Sequence, residues 1–114
     1  MQAQRREHDL HRLAEERSIA FHRVIAARLA RDPTLLARAR ARVRSWLESE
    51  REVPEYARAW NEILAQDETS IVSFLIDRSE RARELRQSSP FAGCLSARER
   101  WRLWHETRAG MGAS

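Results

Sequence analysis

Lysine does not occur in these 114 residues, so all 21 basic side chains counted as Lys+Arg are arginine. Cysteine occurs once, as Cys94, which excludes an internal disulfide and a cysteine-rich zinc site. Three glycines and three prolines leave few places where the backbone is free to turn or a helix is obliged to stop. No apolar run approaches the length of a membrane span. The opening residues, MQAQRREHDL, have no apolar core of the kind a signal peptide carries, so a cytoplasmic location is expected. The chain also has no glycine-rich phosphate loop and no Gly-x-Ser-x-Gly elbow.

What is present points to helices. Ala, Leu, Arg and Glu dominate, all good helix formers. A hydrophobic content of 42% with four tryptophans argues against general disorder. The fold expected is all-α: one domain over residues 1–114, a small bundle of about five to six helices with a long N-terminal helix. Residues 1–6 and 110–114 are expected to lack fixed structure. The net charge is +4, with 17 acidic residues interleaved among the arginines. A dedicated nucleic-acid binder shows a more one-sided basic patch. Arginine in place of lysine is also what codon usage in a GC-rich genome produces.

In chain order, the first helix runs from about Glu7 to Ala30. Leu10, Leu13, Ala14, Phe21, Val24, Ile25 and Leu29 form its stripe, which Arg17 and Ser18 interrupt. Its first turns therefore project beyond the core, which is one way to build a homodimer. Asp32-Pro33 starts a second helix, reaching Ser49, with Leu36, Ala39, Val43, Trp46 and Leu47 on one face. Pro54 precedes a third, Glu55 to Ala65. Asp67 caps a fourth, through Ile76, apolar nearly all round and so expected to be central. Asp77 and Glu80 read as a capping box for a fifth, Arg78 to Gln87, with Arg78, Arg81, Arg83 and Arg86 facing outward. Pro90 stops it. Ser96 and Glu99 form a second capping box for the last helix, to about Arg108, burying Trp101 and Trp104.

Few side chains suggest chemistry. His8, His11 and Glu15 share a helix face, but Glu7, Asp9, Arg12 and Glu16 surround them as on a solvated polar face. Cys94 sits near Ser88, Ser89 and Ser96, yet a nucleophile needs a base and an orienting group in reach. A small buried hydrophobe is the plainer reading of this cysteine. No enzyme activity, metal or cofactor is expected. Arg38, Arg40, Arg42 and Arg44 flank the apolar stripe of the second helix. They are either solvated edges whose stems cover apolar surface or a basic ridge for RNA or DNA.

LSARERW, Leu95 to Trp101, resembles the opening of LuxR-type helix-turn-helix domains. No recognition helix follows it, and a shared capping signal accounts for the likeness. A second resemblance is wider. RARELRQSSPFAGCLSARERWRLW is similar to the end of small helical proteins encoded beside nucleotidyltransferase toxins of the AbiEii/MenT kind. The matching positions are Arg83, Leu85, Arg86, Gln87, Ser89, Pro90, Phe91, Ala92, Gly93, Leu95, Glu99, Arg100 and Trp101. Trp46-Leu47 and YARAW, Tyr56 to Trp60, are compatible with it, so it covers roughly the C-terminal two-thirds. The resemblance implies an antitoxin-like protein that binds and silences a cognate toxin acting on tRNA. The surface it implies is Arg83, Arg86, Gln87, Ser89, Phe91, Arg98 and Arg100, with Phe91 inserted as an apolar anchor.

Overall fold

A computed structural model describes the backbone of residues 2–49 and 51–113 and the side chains of residues 6–49 and 51–110. Six helices follow one another: α1 (Gln2–Leu29), α2 (Pro33–Ser49), α3 (Glu55–Leu64), α4 (Glu68–Leu75), α5 (Glu80–Arg86) and α6 (Ala97–Ala113). The all-α bundle with a long first helix is as the sequence predicts. Where the sequence suggests no fixed structure at 1–6 and 110–114, the backbone is helical at 2–6 and 110–113, and residues 1 and 114 lie outside the described residues.

The helix starts are chemical. Asp32 accepts the Thr34 amide at 3.0 Å at the head of α2. Asp67 accepts the Ser70 amide at 2.8 Å at the head of α4. The Ser96 hydroxyl accepts the Glu99 amide at 3.1 Å at the head of α6 and donates to the Glu99 carboxylate, so the capping box read there forms. At α5 the cap is Ser79, which accepts the Ala82 amide at 3.2 Å, rather than Asp77. Asp77 still takes part, because a hydrogen bond from Ser79 holds its carboxyl below the usual range.

Trp60 of α3 is the centre of the core and wholly buried. Its ring meets Phe74 and Phe91 edge to face, at 5.6 and 6.5 Å between centroids, and its indole N–H donates to the Leu85 carbonyl at 3.0 Å. An indole needs that partner once water is gone. Around it sit Ile25 and Leu29 of α1, Ala39 and Val43 of α2, and Ile71 and Leu75 of α4. α1 serves as the spine, packing against α2, α4 and α6.

The first turns of α1 project beyond the core as expected: its stripe becomes buried only from Ile19 onward, Leu10 is 61% exposed, and residues 6–12 run past the core. Two other expectations about faces are corrected. α4 is not central: only Ile71 and Leu75 are buried, Val72 and Phe74 pack partly buried against the core, and Ile76 lies past its end, exposed. Trp101 and Trp104 are not buried: they stand 62% and 50% exposed, because α6 meets α1 through its Leu103 side and turns the two indoles outward. The i, i+3 spacing fixed that they share a face, but not which way that face points.

Phe91→Ala is expected to cost about 3–5 kcal/mol of unfolding free energy. Trp101→Ala should change it by no more than about 0.5 kcal/mol. Urea unfolding followed by circular dichroism measures both.

Candidate functional site

The segment Ser88 to Leu95 crosses from α5 to α6 and folds inward rather than out. Ser89, Pro90, Phe91 and Leu95 are buried, while Gln87, Ala92 and Gly93 are exposed. The Ser89 hydroxyl accepts the Phe91 amide at 3.2 Å and lies 2.8 Å from Nε2 of His22, on α1. Nδ1 of His22 lies 2.7 Å from the Ser18 carbonyl oxygen. A carbonyl only accepts, so Nδ1 carries the proton and Nε2 accepts from Ser89. Burial lowers the His22 pKa to about 4, a neutral ring at ordinary pH. A serine and a histidine in this arrangement have the geometry of a nucleophile and its base. Here, however, Ser89 is only 7% exposed and the Phe91 amide is already bound to its hydroxyl. The pair therefore works as a clamp between the loop and α1.

Arg86 is the second buried polar residue beside this clamp. It is 5% exposed, contrary to the outward position expected. Its Nη1 donates to the carbonyls of Leu75, at 3.4 Å, and Asp77, at 2.5 Å, and so caps the end of α4. Nε finds no acceptor, and no carboxylate pairs with the guanidinium among the described residues. Desolvation accordingly lowers its pKa.

These groups line a recess of about 530 Å³. His22, Ser89 and Arg86 form its inner side, Arg42 and Arg100 stand at its edge, and Trp46 and Tyr56 make an aromatic wall. The two rings meet edge to face at 5.3 Å. Arg42 donates to the Ala92 carbonyl at 2.8 Å and lies over Trp46. Gly93, at φ +88°, supplies the left-handed turn that presents this carbonyl.

A second groove of about 440 Å³ shares Phe21 and Arg100 with the first and continues along α6 to Trp101, Leu103 and Trp104. Trp101 stacks on His105 at 4.3 Å. The Arg17 guanidinium lies 4.0 Å from the centre of the Trp104 ring, a cation–π contact. Desolvation, and next the charge of Arg108, hold the Arg17 pKa below its ordinary value.

The residues singled out from the sequence are thus dispersed. Phe91 is sealed under the loop and cannot act as an inserted anchor, Ser89 is bonded inside the fold, and Arg86 is buried with only its Nη1 bonded. Arg83 is exposed and bonded to Glu15 of α1 at 2.9 Å. That leaves Gln87, Arg98 and Arg100 at the surface. The four arginines of α2 divide in pairs across its buried stripe. Arg40 and Arg44 border a groove with α3, where Arg40 bonds the Leu64 carbonyl through two nitrogens, at 3.1 and 2.8 Å. Arg38 and Arg42 face the Cys94 side, where burial raises the thiol's pKa. Reading by sequence missed His22, Arg17 and the Trp46–Tyr56 wall. His22 stands four residues after Ser18 and three before Ile25, on the buried side of α1, and that placement was the available signal. No family model, curated protein or solved structure matches the chain.

Because the folded His22 pKa of about 4 lies below its ordinary 6.5, the unfolded state binds more protons between those values. Stability is expected to be intact above pH 6.5 and to fall as pH drops toward 4, by on the order of 3 kcal/mol. Urea titrations of wild type and His22→Gln across that window measure it. The wild type should lose the greater share, and parallel curves would refute this account of His22.

Proposed function

We propose that the chain is an antitoxin-like protein that binds a nucleotidyltransferase toxin through the outer face of α6 and carries out no reaction of its own. One observation supports this most. In a fold that buries Trp60 and Phe91 completely, two tryptophans three residues apart on α6 stand open to solvent, with the Arg17 guanidinium over the Trp104 ring and Arg100 in the same groove. Exposed aromatic clusters with arginine at the rim are what protein interfaces use as energetic anchors. The arginine rim complements a nucleotidyltransferase cleft, whose metal and nucleotide chemistry calls for carboxylates. The sequence resemblance over Arg83 to Trp101 supplies the partner class.

The docking surface proposed here is not the loop first suggested by the sequence. Phe91 has no access to a partner, whereas Trp101 and Trp104 do. Arg98 and Arg100 remain on the exposed side of α6 and stay within the proposed surface. The masking mechanism is kept and its anchor moves by about three helical turns of sequence.

Where the adjacent gene encodes a nucleotidyltransferase, gel filtration of the protein mixed with that product is expected to give one complex. Trp101→Ala and Trp104→Ala should each weaken it about thirtyfold, the effect of a hot-spot anchor, with thermal unfolding unchanged. Two separate peaks for the wild-type mixture would overturn the proposal.

A further inference from the structure

The recess beside the clamp has an unusual charge inventory. Three arginines line it, Arg42, Arg86 and Arg100, and no carboxylate does among the described residues. Elsewhere four arginines form ion pairs: Arg28 with Glu99, Arg78 with Glu16, Arg81 with Glu55 and Arg83 with Glu15. Buried charges in proteins are ordinarily paired, since an unpaired one loses its hydration without recompense. Arg86 is a buried charge bonded only to the Leu75 and Asp77 carbonyls, with the Asp77 and Glu15 carboxylates attracting it from beyond ion-pair distance. It is 95% removed from solvent by its 5% exposure, has no carboxylate partner among the described residues, and keeps one nitrogen without an acceptor.

The shape narrows the ligand. A volume of about 530 Å³ lies in the range of small-molecule sites. Trp46 and Tyr56 give one wall of aromatic surface, against which a flat ring can stack. Gln87 and Ser88 line the same recess and offer amide and hydroxyl groups to a ligand's polar edge. We propose that this recess binds a nucleoside phosphate, its phosphates held by Arg42, Arg86 and Arg100 and its base against the Trp46–Tyr56 wall. The assignment goes beyond the partner reading and does not depend on it: the groove that carries Trp101 and Trp104 is a neighbouring surface, sharing Phe21 and Arg100.

The test is calorimetric titration of the full chain with ATP, GTP, CTP and UTP, with pyrophosphate, with adenosine and with a short single-stranded RNA. At least one nucleotide is expected to bind, more tightly than pyrophosphate or adenosine and more weakly as salt rises. Arg42→Ala and Arg100→Ala should each weaken that nucleotide about tenfold or more, at an unchanged melting temperature. Both side chains lie at the surface, so these variants avoid the folding defect that Arg86→Gln risks. Trp46→Leu should weaken the nucleotide and leave pyrophosphate alone. Absence of heat with every nucleotide overturns the proposal, as does an affinity insensitive to Arg42→Ala and Arg100→Ala. Pyrophosphate binding as well as any nucleotide reduces the recess to a plain anion site and overturns the nucleoside part. RNA binding without mononucleotide binding overturns the proposal in favour of a polymer surface.

Discussion

The hydrogen bond from Ser89 to His22 is the constraint on which the arrangement of the second half of the chain depends. It joins residues 67 positions apart at 2.8 Å, and it lies in the interior, where such a bond is strongest and its loss most costly. With Ser89 fixed to α1, Pro90 and Phe91 have only the core to enter, and Phe91 closes over the Trp60 ring. The same fixed point sets where α6 begins. The Arg28–Glu99 ion pair, with both partners partly exposed, then holds the head of α6 against the end of α1 and adds little energy beyond the packing.

Two surfaces follow from that geometry. Pulling the loop inward turns Arg86 toward the interior and leaves a recess between the loop, α1 and α2. Seating α6 on α1 by Leu103 points Trp101 and Trp104 away. The recess and the groove are thus products of one tie, and they adjoin at Phe21 and Arg100. A change that loosens His22 from Ser89 disturbs both, whereas a change at Trp104 disturbs one.

The fold was legible where local chemistry decides it. Asp32-Pro33, Pro54, Asp67 and the Ser96–Glu99 box each mark a helix start that the structure keeps, because capping involves only neighbours in sequence. The site was not legible, for a reason visible in Arg86 and the two tryptophans. An arginine on a short polar helix reads as solvated, and a tryptophan pair at i, i+3 reads as core. What reverses both is the position of α1, set by contacts across more than sixty residues. His22 shows the same limit: its partner on the loop has no local signature. Arg38, Arg40, Arg42 and Arg44 read as either solvated edges or one basic ridge, and the helix decides against one ridge, because alternate residues lie on opposite flanks of the stripe.

The uneven placement of the four tryptophans also makes the molecule optically legible. Trp60 sits in a dry apolar site, Trp46 is half covered, and Trp101 and Trp104 are wet. Indole emission shifts to longer wavelength with polar surroundings, so the intrinsic fluorescence is a sum of blue and red components that belong to different regions. Collisional quenchers reach the red component first. The core, the recess and the α6 face thereby carry separate reporters with no label attached.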